Sequence, residues 1–259
     1  MKKVLLAILL ALTVATSAFA ANKTITVGVT PFPHKDIMVV VKDLLAKQGY
    51  DLVIKEFTDY VTPNTALAEK SLSANFFQHV PYLENTCKEK GFKLTWVAKV
   101  HIEPLGLYSQ KIKKVSELKN GAQVAIPNDA TNCARALRLL EKAGLLKVKA
   151  GELVTAKDIT SNPKNIKVRE LDAAQLPRTL QDVDAAVINT NFAVEAKLIP
   201  AKDAIVIEGK DSPYANVVAV REEDKNKPEI KALIKAANSK EVKAYINKVL
   251  VPKGIVPAF

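Results

Sequence analysis

The chain has 259 residues, 48% hydrophobic and 25% charged, a balance ordinary for a globular protein and long enough for one large domain or two smaller lobes. Its formal net charge is +11, yet lysines are interspersed with glutamates and no long basic block is present. With no RNP-type aromatic motif and no Cys/His finger, nucleic acid is not an expected partner, and the charge reads as a solvated basic surface.

Residues 1–20 read as an export signal. Lys2 and Lys3 form a basic head, Val4–Val14 an apolar run too short to span a bilayer comfortably, and Ala18-Phe19-Ala20 a small-x-small cleavage site. Cleavage after Ala20 is expected. No Cys follows the signal, so a lipid anchor is not expected and the protein reads as exported and diffusible. Cys87 and Cys133 match no metal or redox spacing, and two free, buried or partly buried thiols are expected.

Thr24–Thr30 is a predicted strand. A helix follows from Lys35 to Lys47, with Ile37, Val40, Val41, Leu44 and Leu45 at helical spacing and Gly49 as its stop. Leu52–Phe57 is the second strand, and this β-α-β order predicts parallel pairing through a right-handed crossover. Pro63 and Asn64 open a short helix to Lys70. The aromatic and polar stretch Asn75–Leu83 runs into a helix that Gly91 ends. Leu94–Val100 is a strand, Leu105–Ser109 another apolar stretch, and Lys114–Leu118 a short helix.

Val124–Ile126 reads as a strand and Pro127–Asp129 as a turn. The next helix is expected to be capped by Thr131 or Asn132, with Ala136, Leu137, Leu139 and Leu140 on its apolar face. Short strands are predicted at 165–171, 185–189, 204–208 and 214–221, and closing helices at 228–237 and 239–250. Strands alternate with helices throughout, so the class is α/β. The expected arrangement is two lobes, one holding 22–105 with 216–259 and the other 110–210. The chain crosses between them near 104–109 and 210–216, leaving a ligand cleft between the lobes.

Arg135 falls in the first turn of its helix, where the helix dipole disfavours a cation. A strand end, free backbone N–H groups, amide side chains and a guanidinium together would suit a carboxylate. A plain capped helix with an exposed arginine accounts for that segment at least as well. Cys133, beside Arg135 and the helix start, is expected to favour thiolate. Five other clusters fall where strands end: Thr58–Asn64, Asn75–Tyr82, His101–Tyr108, Ile188–Phe192 and Ser212–Asn216. Ligands in α/β folds bind beyond the carboxyl ends of strands, so one pocket could gather all of them. Such a pocket suits a zwitterion with an apolar tail: Arg135 for a carboxylate, Asn189 and Asn216 for polar atoms of an amino-acid head. Tyr60, Phe77, His79, Tyr82 and Tyr108 would wall the side chain, aromatic faces also suiting thioether sulfur. For any single aromatic residue core packing explains as much, and for Asn189 a strand-end cap does.

Enzyme motifs are missing. His101 and Glu103 form an H-x-E without the C-x-x-C of a deaminase-type zinc site, and there is no HExxH, GxSxG, P-loop or GxGxxG. No metal or cofactor is expected.

The segments TDYVTPN, ANFFQHVPYL, PNDATNCARALRLL, ELDAAQLPRTL, AVINTNFA and DSPYANVVAVRE occur in this order across nearly all of the chain after the signal. They closely resemble the NlpA family of methionine-binding substrate-binding proteins of ABC importers. The resemblance implies a two-lobed, type II-like periplasmic-binding-protein fold that closes on free methionine, with L-methionine expected, and delivers it to an inner-membrane permease and ATPase. It places Arg135 on the ligand carboxylate, Asn189 and Asn216 at the amino-acid head, and Tyr60, Phe77, His79, Tyr82 and Tyr108 around them. Asn132, in the TNxxR motif with Arg135, belongs to the same expected set. A periplasmic, non-enzymatic monomer is implied. D-methionine, a methionine dipeptide or another amino acid are alternative ligands. A secreted small-amide hydrolase and an adhesin-like protein with a vestigial cleft are alternatives of other classes.

Overall fold

The computed structural model describes residues 23–209 and 212–259; the expected export signal at 1–20 lies outside them, as do positions 210 and 211 of the second expected crossover. The chain begins with β1 (Lys23–Val29), α1 (Asp36–Ala46) and β2 (Tyr50–Glu56). β1 and β2 pair in parallel from Lys23 against Tyr50 to Val29 against Glu56, as the β-α-β pattern requires. Ile37, Met38, Val41 and Leu45 of α1 are buried, one stripe of a helix laid on the sheet.

Next come α2 (Thr62–Ala68), β3 (Ala74–His79), α3 (Val80–Lys90) and β4 (Leu94–Ile102). α3 ends at Gly91 in the left-handed conformation, φ 69°, which glycine adopts without strain. β5 (Gly106–Tyr108), β6 (Gln123–Pro127), α4 (Ala130–Lys142), β7 (Lys147–Val148), β8 (Ile159–Ser161) and β9 (Lys167–Leu171) follow. The remaining elements are α5 (Leu176–Thr179), β10 (Ala185–Ile188), α6 (Thr190–Glu195), α7 (Pro200–Asp203), β11 (Val206–Ile207), β12 (Ala215–Arg221), α8 (Pro228–Ala237), α9 (Lys240–Tyr245) and β13 (Val256–Pro257).

Two sheets organise the molecule. One has the order β13-β4-β12-β3-β1-β2, the other β11-β5-β10-β6-β9. Both follow one plan. Three parallel strands (β2-β1-β3 and β9-β6-β10) are extended by an antiparallel strand that the chain supplies on arriving from the other sheet. β5 leaves β4's sheet to join the second, and β12 returns to lie antiparallel between β3 and β4. The hairpin β7-β8 stands apart as a two-stranded ribbon.

Each sheet has its own core. Ile25, Val27, Phe76, Val100 and Val218 pack with Ile37, Val41 and Leu233 on one side of the molecule. Val124, Ile126, Val187 and Leu107 pack with Leu137 and Leu140 on the other. Burying side chains of this size contributes roughly 1.5–3 kcal/mol each.

β3 is buried at all six positions although three of them are Asn75, Gln78 and His79. The cost is offset by an amide cluster. Asn64 donates to Gln78 Oε1 at 2.8 Å, Asn75 donates to Asn64 Oδ1 at 2.8 Å, and Gln78 donates to Asn64 Oδ1 and Asn75 Oδ1 at 2.7 and 2.9 Å. The polar residues of two sequence clusters thus brace α2 against β3.

The start of α4 departs from expectation. Asp129, not Thr131 or Asn132, is the cap, with extended φ −73° and ψ 145° and a carboxylate that accepts from the Asn132 backbone N–H at 2.9 Å. The same carboxylate accepts from Thr131 Oγ1 and from Asn132 Nδ2. A charged acceptor beats a hydroxyl or an amide for these N–H groups. The helix terminus is therefore already occupied by the chain's own carboxylate, and Thr131 and Asn132 lie inside the helix.

Candidate functional site

The carboxyl ends of β3, β6 and β10 meet at one cavity, the position where open α/β sheets place their ligands. β3 delivers Phe77 and His79, and α3 continues with Tyr82. β6 leads through Asp129 into Asn132 and Arg135 on α4. β10 runs into Asn189, Thr190 and Asn191. β12 starts at this same end, with Asn216 in register with His79 on one neighbour and His101 on the other. With Tyr60, Gln78, Glu103 and Leu105 these residues line one cavity, its walls part polar and part aromatic.

Eight of the nine residues expected from the sequence line it: Tyr60, Phe77, His79, Tyr82, Asn132, Arg135, Asn189 and Asn216. Tyr108 does not. It is buried in the second lobe's core beside Ala125, Leu176, Ile188 and Phe192, because alternation along β5 sends its ring to the face opposite Leu107. Gly106 leaves room for that ring, since a methyl group there would come within 2.7 Å of it.

Arg135 is 4% exposed and held on several sides. Its Nε donates to Glu208 Oε1 at 3.0 Å and its Nη2 to Glu208 Oε2, a bidentate pair. Nη2 also donates to the Glu103 carbonyl at 2.8 Å, and the Tyr214 ring centroid lies 4.1 Å from the guanidinium carbon. Nη1 makes no hydrogen bond among the described residues.

Amides form a second group. Asn189 Nδ2 donates to Asn132 Oδ1 at 2.9 Å, and His79 Nε2 donates to the same oxygen at 3.2 Å. His79 Nδ1 accepts from the Tyr82 N–H at 3.2 Å, which sets the tautomer. Asn216 Oδ1 accepts from His34 Nε2 at 3.1 Å, and His34 Nδ1 accepts from Thr30 Oγ1 at 2.7 Å. Two buried atoms of the lining have no partner among the described residues: Asn189 Oδ1, an acceptor, and Asn191 Nδ2, a donor. An unpaired acceptor and an unpaired donor in one cavity fit a ligand bearing groups of both kinds.

The aromatic wall is made by Tyr60, Phe77 and Tyr82, whose ring centroids lie 5.9–6.1 Å apart. Tyr60 OH donates to Asn191 Oδ1 at 2.5 Å, joining residues on the two sheets' sides of the cavity. Burial pushes the Tyr60 and Tyr82 phenols well above their usual range, so both are neutral donors. Burial, then the Arg135 charge, lowers His79 to about 3, and it too is neutral near pH 7.

Glu103, Gln78, Thr190 and Asn191 line the cavity without having been singled out for it from the sequence. Asn191 had a visible signal, an amide two residues after Asn189 at a strand end. Glu103 had one as well, a lone carboxylate in the apolar run HIEPLGL. Its Oε1 accepts from His101 Nε2 at 2.7 Å and lies 3.4 Å from His34 Nε2, and its Oε2 accepts from the Asn191 N–H at 3.0 Å. His34, His101 and Glu103 hold three potential ligand atoms within 4.8 Å of one another, but as described they serve one another as hydrogen-bond partners. Glu208, at the end of the predicted strand 204–208 and outside every cluster, carried no signal.

A family model described as NlpA lipoprotein matches residues 25–259. The chain belongs to the NlpA lipoprotein family. Among its relatives, the D-methionine-binding lipoprotein MetQ of Salmonella typhimurium is 49% identical over 207 residues, 78% of this chain and 76% of that protein. A nutrient binding protein from Burkholderia cenocepacia, solved bound to methionine, superposes with a TM-score of 0.88 at 47% identity, covering 91% of this chain and all of that one. An ABC transporter periplasmic substrate-binding protein from Coxiella burnetii superposes with a TM-score of 0.86 at 48% identity, over 90% of this chain and all of that one. The fold of this NlpA chain is therefore the two-lobed periplasmic-binding-protein fold. The same findings correct one expectation. The missing Cys at position 21 pointed to a diffusible protein without a lipid anchor, whereas the family and the Salmonella relative are named as lipoproteins. That expectation rested on one residue of a leader outside the described residues, and it does not stand.

Cys87 and Cys133 are free thiols, the first half-buried and the second buried. Burial, with Glu170 and Asp129 nearby, pushes Cys133 up to about 12. The expected thiolate is thus reversed. The helix start already faces the Asp129 carboxylate, and the charge of Arg135 is met by Glu208.

Proposed function

We propose that the cleft captures methionine as its zwitterion and that the protein passes it, chemically unchanged, to an ABC importer of permease and ATPase. The observation that carries this reading is one cavity of an NlpA chain in which a guanidinium and, among the described residues, an unpaired amide acceptor and an unpaired amide donor stand beside an aromatic wall. Arg135 Nη1 takes the ligand carboxylate. Asn189 and Asn216 orient the amino-acid head with Asn132, and Tyr60, Phe77, His79 and Tyr82 enclose the thioether. The lobes are 22–105 with 216–259 and 110–210, closing about the two crossovers as a hinge. Support comes from the Burkholderia protein solved with methionine and the Coxiella protein described as an ABC transporter component.

The test is native mass spectrometry of protein purified without refolding, followed by calorimetric titration with L- and D-methionine. Both enantiomers are needed because the Salmonella relative is named for the D form. Co-purified methionine, or saturable heat with either enantiomer, is the expected result. The absence of both co-purified methionine and binding heat would overturn the reading. Hydrolysis of methionyl amides by the pure protein would favour an enzyme instead.

A further inference from the structure

Two carboxylates, Glu103 buried in the cavity lining and Glu208 half-buried behind Arg135, have no part in the reading above, on which this inference rests. We infer that together they set the charge selectivity of the site: Glu208 neutralises Arg135, and Glu103 is the counter-charge for the ligand's ammonium group.

The argument is one of charge balance. Arg135 is the cationic side chain of the cavity lining, and its Nε and Nη2 are taken by Glu208. Toward Glu103 it donates only to the main-chain carbonyl. The Glu103 carboxylate, on a residue 6% exposed, has three hydrogen-bonding or close neighbours: His101 Nε2, His34 Nε2 and the Asn191 N–H. None is a cation near neutral pH. Burial holds His34 at about 4 and His101 at about 3, and the third is an amide. The other carboxyls nearby, Asp129 and Glu195, are themselves acids, the first engaged with Asn132 and Thr131. Among the described residues, then, no cation forms an ion pair with Glu103 across its carboxylate.

A buried carboxylate without a cation is expensive, and burial accordingly raises the Glu103 carboxyl. The unpaired acceptor Asn189 Oδ1 lines the same cavity. An ammonium group placed there meets a carboxylate and an amide oxygen together. With Arg135 already paired, a bare anion gains little from the cleft, whereas a zwitterion completes its charge balance. The cleft therefore distinguishes an amino acid from the same molecule lacking its amino group.

The experiment is calorimetric titration of the intact protein with methionine and with 4-(methylsulfanyl)butanoate, which keeps the thioether and the carboxylate but has no ammonium. The wild type should prefer methionine by about a hundredfold or more. Glu103→Gln should cut that preference at least about tenfold, and Glu103→Asp, which keeps the charge, should retain most of it. Glu208→Gln unmasks Arg135 and should cut the preference from the other side, by strengthening binding of the butanoate. Circular dichroism establishes that each variant is folded. If Glu103→Gln does not fold, the Glu208→Gln arm decides, and no gain in butanoate binding overturns the inference. An unchanged preference in both folded variants overturns it while leaving methionine binding intact. A wild type that ignores methionine instead removes the reading of the cleft itself.

Discussion

Arg135 gives Nε and Nη2 to the carboxylate of Glu208, so among the described residues Nη1 alone of the guanidinium nitrogens has no hydrogen-bond partner. One side chain thereby does three things. It ties α4 to the segment after β11, it supports the Glu103 carbonyl between β4 and β5, and it keeps the two N–H groups of Nη1 without a hydrogen-bond partner among the described residues. Arg135→Ala should weaken methionine binding by roughly 3–5 kcal/mol, since the ligand carboxylate loses its partner and Glu208 is stranded. Arg135→Lys should be nearly as damaging, because an ammonium cannot serve Glu208, the carbonyl and the ligand in one plane. Calorimetry on both variants checks this, and wild-type affinity in Arg135→Lys would contradict it.

Two tyrosines expected to act alike should behave differently. Tyr108 OH is buried with no partner among the described residues, whereas Tyr60 OH donates across the cavity to Asn191. Tyr108→Phe should leave methionine affinity unchanged and hold or raise stability, by up to about 1 kcal/mol, because an unsatisfied hydroxyl is removed. Tyr60→Phe should weaken binding by about 1 kcal/mol through the lost inter-lobe hydrogen bond. Urea unfolding and titration of the two variants in parallel separate the roles.

The chain has three histidines, His34, His79 and His101, and all are buried. Burial holds them at about 4, 3 and 3, with the nearby Arg135 also lowering His79. A histidine whose folded pKa lies below its unfolded value contributes stability that is complete above about pH 6.5 and lost as pH falls toward the folded value. Each can contribute up to about 1.4 kcal/mol per pH unit in that window. Asp36, Glu103, Asp129 and Glu195, raised by burial, act in the opposite sense, their contribution being present at low pH and lost as pH rises. Glu141, Asp158, Glu223 and Asp224 are held low and, with the three histidines, lose their contribution on acidification, which predicts a melting temperature that falls from about pH 6.5 to about pH 4. Calorimetric scans at stepped pH check this, and proton NMR should show no imidazole titrating near its ordinary value.

Cys133 should resist alkylation. It is 3% exposed, and burial with the neighbouring acidic groups pushes its thiol up to about 12. Iodoacetamide at neutral pH should leave it unmodified in the folded protein, and unfolding should release both thiols to the reagent. Rapid labelling of Cys133 in the native state would contradict this.

The α/β class and most elements are visible in the residues because they depend on local chemistry. Helical spacing in 37–45, the glycine stop at 91, and strand-length apolar runs at 124–126 and 185–188 each report on neighbours a few positions away. The strand-end clusters were legible for the same reason, and eight of the residues they offered line one cavity. What the residues alone did not settle is which polar group satisfies which. Asp129 outcompetes Thr131 and Asn132 for the cap, Asn64 and Asn75 brace β3, and Tyr108 turns to the core. The short strands β7, β8 and β13 escaped the reading, because two or three residues are too few to show alternation and β13 pairs only with the remote strand β4. The largest difference lies at Arg135. Its expected place in a first turn marked it as a functional cation, but α4 begins at Ala130 and sets it in the second turn, and its neutralisation by Glu208, 73 residues away, exists only once β11 is laid beside β5. Periodicity and caps are properties of short segments. The charge balance of a cleft is a property of groups that meet only when the chain has crossed between its sheets twice.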